Sequence, residues 1–131
     1  MADLTAAVRN SMVDWLVGTA SPAAAATRYI APFNGDPQAG GTELTNTISG
    51  SATRPTLTSA MGAASGGAAV NTTDITFTNS AVGGGTVDHV AIMSAATAGT
   101  VMASTAVNAA KTVAIGDSLK ILSGNLSAGI T

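Results

Sequence analysis

The amino-acid sequence predicts a mostly β protein, a single β-sandwich or jelly-roll-like domain with one N-terminal amphipathic helix. Short segments rich in Thr, Val and Ile recur roughly ten residues apart, and Gly-rich turns separate them. Some seven or eight short strands at this spacing are typical of sandwiches and jelly rolls. The only convincing apolar stripe at the helical period lies at the start of the chain.

The opening segment, residues 1–18, is predicted to be the helix. Apolar side chains recur there three or four positions apart and so share one helical face; they are Leu4, Val8, Met12, Trp15 and Leu16. Asp3 is the expected N-cap, and Gly18 is the expected C-terminal stop. The stripe carries the only Trp of the chain, so we expect it to be buried against the same protomer or a partner subunit. It is the candidate interface.

A linker is predicted for residues 19–26, and a β-sandwich body for residues 27–131. Ser21-Pro22 breaks the helical pattern before a run of four alanines. The first strand of the body is residues 28–33, where Pro32 favours an edge strand or a bulge. The NGDP sequence of residues 34–37 is a strong turn signal. Helix, linker and body together form one domain.

The other strands are predicted from alternation and from apolar runs. Residues 72–78 alternate around Ile75 and Phe77, so one face of that strand should be buried. Residues 86–94 are apolar on both faces, which is typical of a central strand. The remaining predicted strands are residues 43–48, 53–61, 100–107, 111–115, 118–122 and 125–130.

Two strand pairings are predicted as well. Residues 100–107 should pair with residues 86–94, which precede them directly. Residues 111–115 and 118–122 flank Gly116-Asp117, a short turn signal between apolar runs, and so should form a hairpin.

The low charge of the chain predicts an assembly. Only 9% of residues are charged, against roughly 25% in an average soluble domain. A surface of small uncharged residues suits subunit contacts, where charges would have to be desolvated. We therefore expect a homo-oligomer, such as a trimer.

The same composition excludes several classes of function. The five basic residues make no patch for nucleic acid; they are Arg9, Arg28, Arg54, Lys111 and Lys120. The absence of cysteine excludes disulfides and thiol chemistry. No apolar window is long enough to span a membrane, and the N-terminus lacks the pattern of a secretory signal. The expected compartment is the cytoplasm of the producing cell.

No catalytic, cofactor-binding or metal-ligating residue is predicted, and so no enzyme. His89 is the only histidine and follows Asp88 on a predicted strand, where neighbouring side chains point to opposite faces and should not pair. No Gly-x-Ser-x-Gly turn is present to hold a nucleophile. The carboxylates lack the spacing of a calcium loop. Residues 62–67 and 83–85 are Gly-rich but lack the Lys-Ser/Thr of a phosphate-binding loop.

Beyond the opening helix, several short segments occur in an order that carries a resemblance. They are FNGDP (33–37), GGTE (40–43), NTTDITF (71–77), VDHVAI (87–92), AATAG (95–99) and GDSL (116–119). In this order they resemble a family of small tailed-bacteriophage virion proteins, known as tail-fibre or head-decoration proteins. The resemblance implies a β-sandwich structural subunit without enzymatic activity, which would be assembled into virions in the infected bacterium.

Three functions follow as expectations. The first is a capsid decoration or cement protein that binds the outer lattice of the major capsid protein and stabilises it by mass action. The alternative is a tail- or baseplate-associated subunit that attaches to a fibre or forms its tip; the absence of repeats and heptads argues against a long shaft. The remote alternative is a carbohydrate-binding β-module, for which only Trp15, Tyr29 and Phe33 could form an aromatic platform.

Overall fold

The computed structural model describes residues 3–22, 24–77 and 82–129, and these are mostly β, as predicted. The helices and strands are β1 (Asp3–Leu4), α1 (Ala6–Val17), β2 (Tyr29–Asn34), β3 (Thr42–Glu43), α2 (Thr45–Ser49), β4 (Ala68–Val70), β5 (Ile75–Thr76), β6 (Gly85–Met93), β7 (Val101–Val113), β8 (Lys120–Ile121) and β9 (Ser127–Gly129). Two short 3₁₀ helices, Pro37–Ala39 and Thr58–Ala60, lie between them. Thr78 and Ile130, which end two of the predicted strands, lie outside the described residues.

The main sheet is antiparallel and has the strand order β1-β7-β6-β2-β3. Its middle strand, β6, is buried on both faces, as its apolar pattern predicted, and it pairs with β7, as predicted. On one face of the sheet, Ile30 and Val90 join the larger core cluster. On the other face, Phe33 and Met93 belong to a smaller cluster.

A second layer covers the larger core and is not one continuous sheet. It consists of the two-stranded sheet β5–β8 together with α2 and the 3₁₀ helix Thr58–Ala60. The other two-stranded sheet, β4–β9, contributes no side chain to this core, although Leu126, just before β9, does. Ile75 and Phe77 of the β5 region are buried in this core, as their alternation predicted. The two layers therefore contact each other through the side chains of the larger core, and among the described residues no continuous sheet forms the second layer.

The prediction for the end of α1 is confirmed, and the prediction for its start is wrong. Gly18 ends the helix in the left-handed conformation at φ 80°, as predicted. The N-cap is Thr5 rather than Asp3, because Leu4 has joined β1 and pairs with Ala103 of β7. Pairing with the sheet therefore delays the start of the helix.

Pro32 does not place β2 at an edge, which corrects one prediction. β2 lies between β6 and β3 in the sheet. The carbonyl of Pro32 accepts a hydrogen bond from Leu44 N–H at 2.8 Å, on the side away from β6. In an antiparallel strand the nitrogen of a residue points to the same side as its carbonyl. The missing N–H therefore removes no bond to Val90, which pairs with Pro32 across β6.

Two predicted strands in residues 43–61 are wrong. Residues 43–48 leave the sheet after Glu43 and continue as α2, which buries Ile48 in the core and ends at Gly50 with φ 70°. Residues 53–61 make only two isolated bridges, Thr56 to Tyr29 before the 3₁₀ helix and Met61 to Asn71 after it. Pro55 lacks an N–H and limits the ladder there, so tertiary packing overrides the strand propensity of these Thr-rich runs.

The hairpin predicted around Gly116-Asp117 is also wrong. The turn itself forms, since Asp117 N–H donates to Ala114 O at 2.9 Å. The chain after it does not return along β7, because β8 pairs instead with β5 through Ile75 opposite Ile121. Ile121 packs on the larger core. Burial of this apolar side chain therefore decides the partner of β8.

Candidate functional site

The first candidate cluster lies around Asp88, where the pairing of β6 with β7 is irregular. Val87 pairs with Lys111 and His89 pairs with Ala106, so residues 107–110 of β7 stand opposite Asp88 alone. Nδ1 of His89 lies 2.9 Å from Oδ1 of Asp88. The prediction that these neighbours cannot pair was therefore wrong, because the register shift breaks the regular alternation of the strand at this point.

The Asp88 carboxylate serves the backbone as well as the histidine. Its Oδ1 accepts a hydrogen bond from Gly35 N–H at 2.7 Å, and Asn34 Nδ2 donates to Thr86 O at 3.0 Å. The hydrogen bonds from His89 and Gly35 lower the pKa of Asp88. The carboxylate thus fastens the turn after β2 onto β6.

His89 shares an open groove with Gln38 and Ser104. The Ser104 hydroxyl, which is buried, accepts a hydrogen bond from Gln38 Nε2 at 2.8 Å. These contacts hold the 3₁₀ helix Pro37–Ala39 against β7. Within residues 3–22, 24–77 and 82–129, no three His, Asp or Glu side chains come close enough together to hold a metal ion. The contacts of this cluster therefore have a structural role, because they hold the turn after β2 and the 3₁₀ helix Pro37–Ala39 against the main sheet.

A buried ion pair between Arg54 and Glu43 is the second polar cluster, and the sequence analysis missed it. Arg54 is only 7% exposed. Its Nε and one terminal nitrogen donate to the two Glu43 oxygens at 2.9 and 2.7 Å. Its other terminal nitrogen donates to the carbonyls of Ala95 and Ala98 at 2.8 and 2.7 Å. One clue to this ion pair was present in the sequence: Arg54 is a charged residue within a Thr-rich run of a chain that has few charges.

The Arg54 contacts hold the turn that joins β6 to β7. Ala98 in that turn has a φ of 52°, a left-handed conformation that costs a residue with a Cβ about 1 kcal/mol. Gly99 follows with a φ of 72°. The guanidinium therefore links β3 to a turn that is strained on its own.

The ion pair predicts an acid-sensitive stability. Burial raises the pKa of Glu43, but the hydrogen bonds from Arg54 and Thr45 and the charge of Arg54 outweigh it, so this pKa lies below its ordinary value of 4.5. A lowered pKa in the folded state adds stability above pH 4.5 that is lost as the pH falls through the folded value. Urea unfolding between about pH 6 and pH 3 should therefore show a steeper loss for the native chain than for Glu43→Gln. Parallel pH profiles would contradict this.

The five residues of the predicted interface stripe differ in their burial in the structure. Leu4 lies in β1, and Val8 and Met12 are half-buried next to the start of β7. Trp15 and Leu16 are 62% and 76% exposed. No side chain of α1 is fully buried. The Trp is therefore not covered by the described part of its own protomer.

Four exposed side chains form what we call the apolar end of α1: Val13, Trp15, Leu16 and Val17. Isolated apolar residues on a surface are ordinary, but a contiguous group of this kind is typical of a contact surface. Asp14 lies within this segment, and the last turn of the helix has no basic residue. This end of the helix is therefore both apolar and negative.

A second open surface, which we call the apolar groove, lies beside the irregular part of β7. The groove encloses about 500 Å³ and is lined by Val87, Val90, Val107, Asn108, Ala109, Lys111, Leu119, Lys120, Ile121, Leu122 and Asn125. It forms because residues 107–110 leave the regular register with β6. Its lining is mainly apolar, and two lysines belong to it.

The chain is similar to a known protein family over nearly all of its length. A family model described as podophage GP4 fiber I protein gp80 matches residues 3–129. The match includes both polar clusters, α1 and the apolar groove. A comparison with curated protein sequences gave no match. In the part of the chain that the structure describes, no helix is long and apolar enough to cross a membrane.

Proposed function

Since the chain belongs to the family of podophage GP4 fiber I protein gp80 and is a structural component of a phage virion, we propose that it is a fibre subunit. It works by binding copies of itself and other virion proteins. The observation that carries this proposal is the family match, which extends over residues 3–129. The protein is assembled into the virion in the infected host.

The surface of the protein supports assembly rather than catalysis. With 9% charged residues, little charge has to be desolvated when subunits meet. The apolar end of α1 and the apolar groove are both uncovered in a single protomer. The polar clusters at Asp88 and Arg54 are occupied by contacts within the fold. We therefore propose a structural, non-enzymatic role.

Capsid decoration, the function that the sequence first predicted, is the second candidate. The absence of repeats in this sequence favours it, because a long fibre shaft is usually built from repeats. The family description favours the fibre. The carbohydrate-binding module is less well supported, because Phe33 is buried and cannot contribute to an exposed aromatic platform.

The number of copies in each particle separates the two candidates. Quantitative mass spectrometry of purified virions, calibrated against the major capsid protein, should find roughly three to a few dozen copies of a fibre subunit, because fibres follow the low symmetry of their attachment site. Several hundred copies would establish lattice decoration instead. Absence of the protein from purified particles would contradict both candidates.

A further inference from the structure

Each protomer carries two uncovered apolar surfaces of complementary form. One is convex, the apolar end of α1, where Trp15 and Leu16 project from a helix. The other is concave, the apolar groove between β7 and the segment around β8. Transfer of such surfaces from water into contact with one another is favourable, at about 25 cal/mol per Å² of buried apolar area.

The charges on the two surfaces are complementary. The apolar end of α1 carries Asp14 and lies at the C-terminal end of the helix dipole, which bears a partial negative charge. The groove is lined by Lys111 and Lys120, two of the five basic residues of the chain. Lys120 Nζ lies 3.8 Å from Asp74, and Lys111 makes no ion pair with any described residue. Lys111 can therefore face a negative partner, whereas Lys120 already has one within its own protomer.

The contacts at the base of α1 indicate that its partner is a groove on another chain. β1 pairs with β7 through Leu4 opposite Ala103, and Thr5 N–H donates to Met102 O at 2.9 Å. Pro22 and Arg28, which follow the helix, line the same surface as Val8 and Met102. The start of the helix is thus held at the start of β7. Movement of α1 into its own groove would break the β1–β7 pairing.

We propose that the apolar end of α1 docks in the apolar groove of a second copy of this chain. The inference rests on the proposed function, because it assigns a surface to the self-assembly of a virion subunit. The contact joins two different surfaces, so it is heterologous and generates either a closed ring or an open chain of subunits. A ring of three would give the trimer that the sequence analysis expected.

Cysteine cross-linking tests the contact directly, since the chain contains no cysteine. Leu16→Cys places a thiol on the helix, and Asn108→Cys places one in the groove; both positions are exposed and tolerate the change. A mixture of the two variants under mild oxidation should give a disulfide-linked dimer of about twice 12.6 kDa. Leu122→Cys gives a second groove position.

A matched control uses Ser59→Cys, which is exposed but lies outside the groove. Leu16→Cys mixed with Ser59→Cys should give at least about tenfold less dimer. Introduction of Lys111→Glu into the Asn108→Cys variant should lower the dimer yield several-fold, because the new carboxylate repels Asp14.

Three results would overturn the inference. One is equal linking to Ser59→Cys, and another is linking of Leu16→Cys only to itself, which would mean that two helices pack together. The third is an intramolecular link alone in a Leu16→Cys, Asn108→Cys double variant. Sedimentation of the native chain separates this failure from failure of the proposed function. An oligomer without the Leu16–Asn108 link refutes the contact only, whereas a monomer that is also absent from purified virions refutes the function.

Discussion

Replacing Arg54 by methionine is expected to lower the free energy of unfolding by about 3 kcal/mol, the cost of removing one partner from a buried ion pair. The change leaves Glu43 half-buried without its cation. It also removes the donors to the carbonyls of Ala95 and Ala98. The turn from β6 to β7 then has to maintain the left-handed conformation of Ala98 without this support. A small domain has a total stability of only about 5–15 kcal/mol.

Urea unfolding followed by circular dichroism measures this loss, with Arg28→Met as the control. Arg28 loses the same charge, but it makes no ion pair within the described residues, so its cost should be about 1 kcal/mol or less. A double-mutant cycle with Glu43→Gln should give a coupling energy above about 1 kcal/mol. Similar losses for the two arginine variants would refute the buried pair.

Replacing Phe77 by alanine is expected to cost about 3–5 kcal/mol, the range measured for large aromatic side chains in well-packed cores. Phe77 is 1% exposed and is the largest fully buried side chain of the described residues. It packs among aliphatic side chains from both layers, including Ile30 and Ile48. The core is built mainly from Val, Ile, Leu and Ala, so no neighbouring ring fills the cavity that the substitution leaves.

Trp15→Ala is the matched control, because it also removes a large aromatic side chain. Trp15 is 62% exposed, so the stability of the dilute monomer should change by less than about 0.5 kcal/mol. Thermal unfolding of both variants at low protein concentration makes the comparison. Equal destabilisation would mean that α1 packs on its own body, and it would contradict the arrangement described above.

The sequence alone predicted those features of the fold that depend on residues close together in the chain. The apolar residues on both faces of 86–94 predicted the central strand β6, and the alternation at Ile75 and Phe77 predicted their burial. Gly18 predicted the end of α1, because a left-handed residue is needed there. The order of short segments predicted a phage virion protein, with which the family match agrees; the assembly predicted from the low charge stays a prediction.

Only the tertiary structure decided the features that join distant segments. The pairing of Asp88 with His89 needed a register shift against β7. Arg54 meets Glu43 and the carbonyls of residues 95–98 across gaps of more than ten residues in the chain. The position of β8 beside β5 and the opening of the apolar groove depend on the same kind of contact. Local patterns report the conformation of a segment, whereas strand partners and side-chain pairs follow from which distant surfaces are buried together.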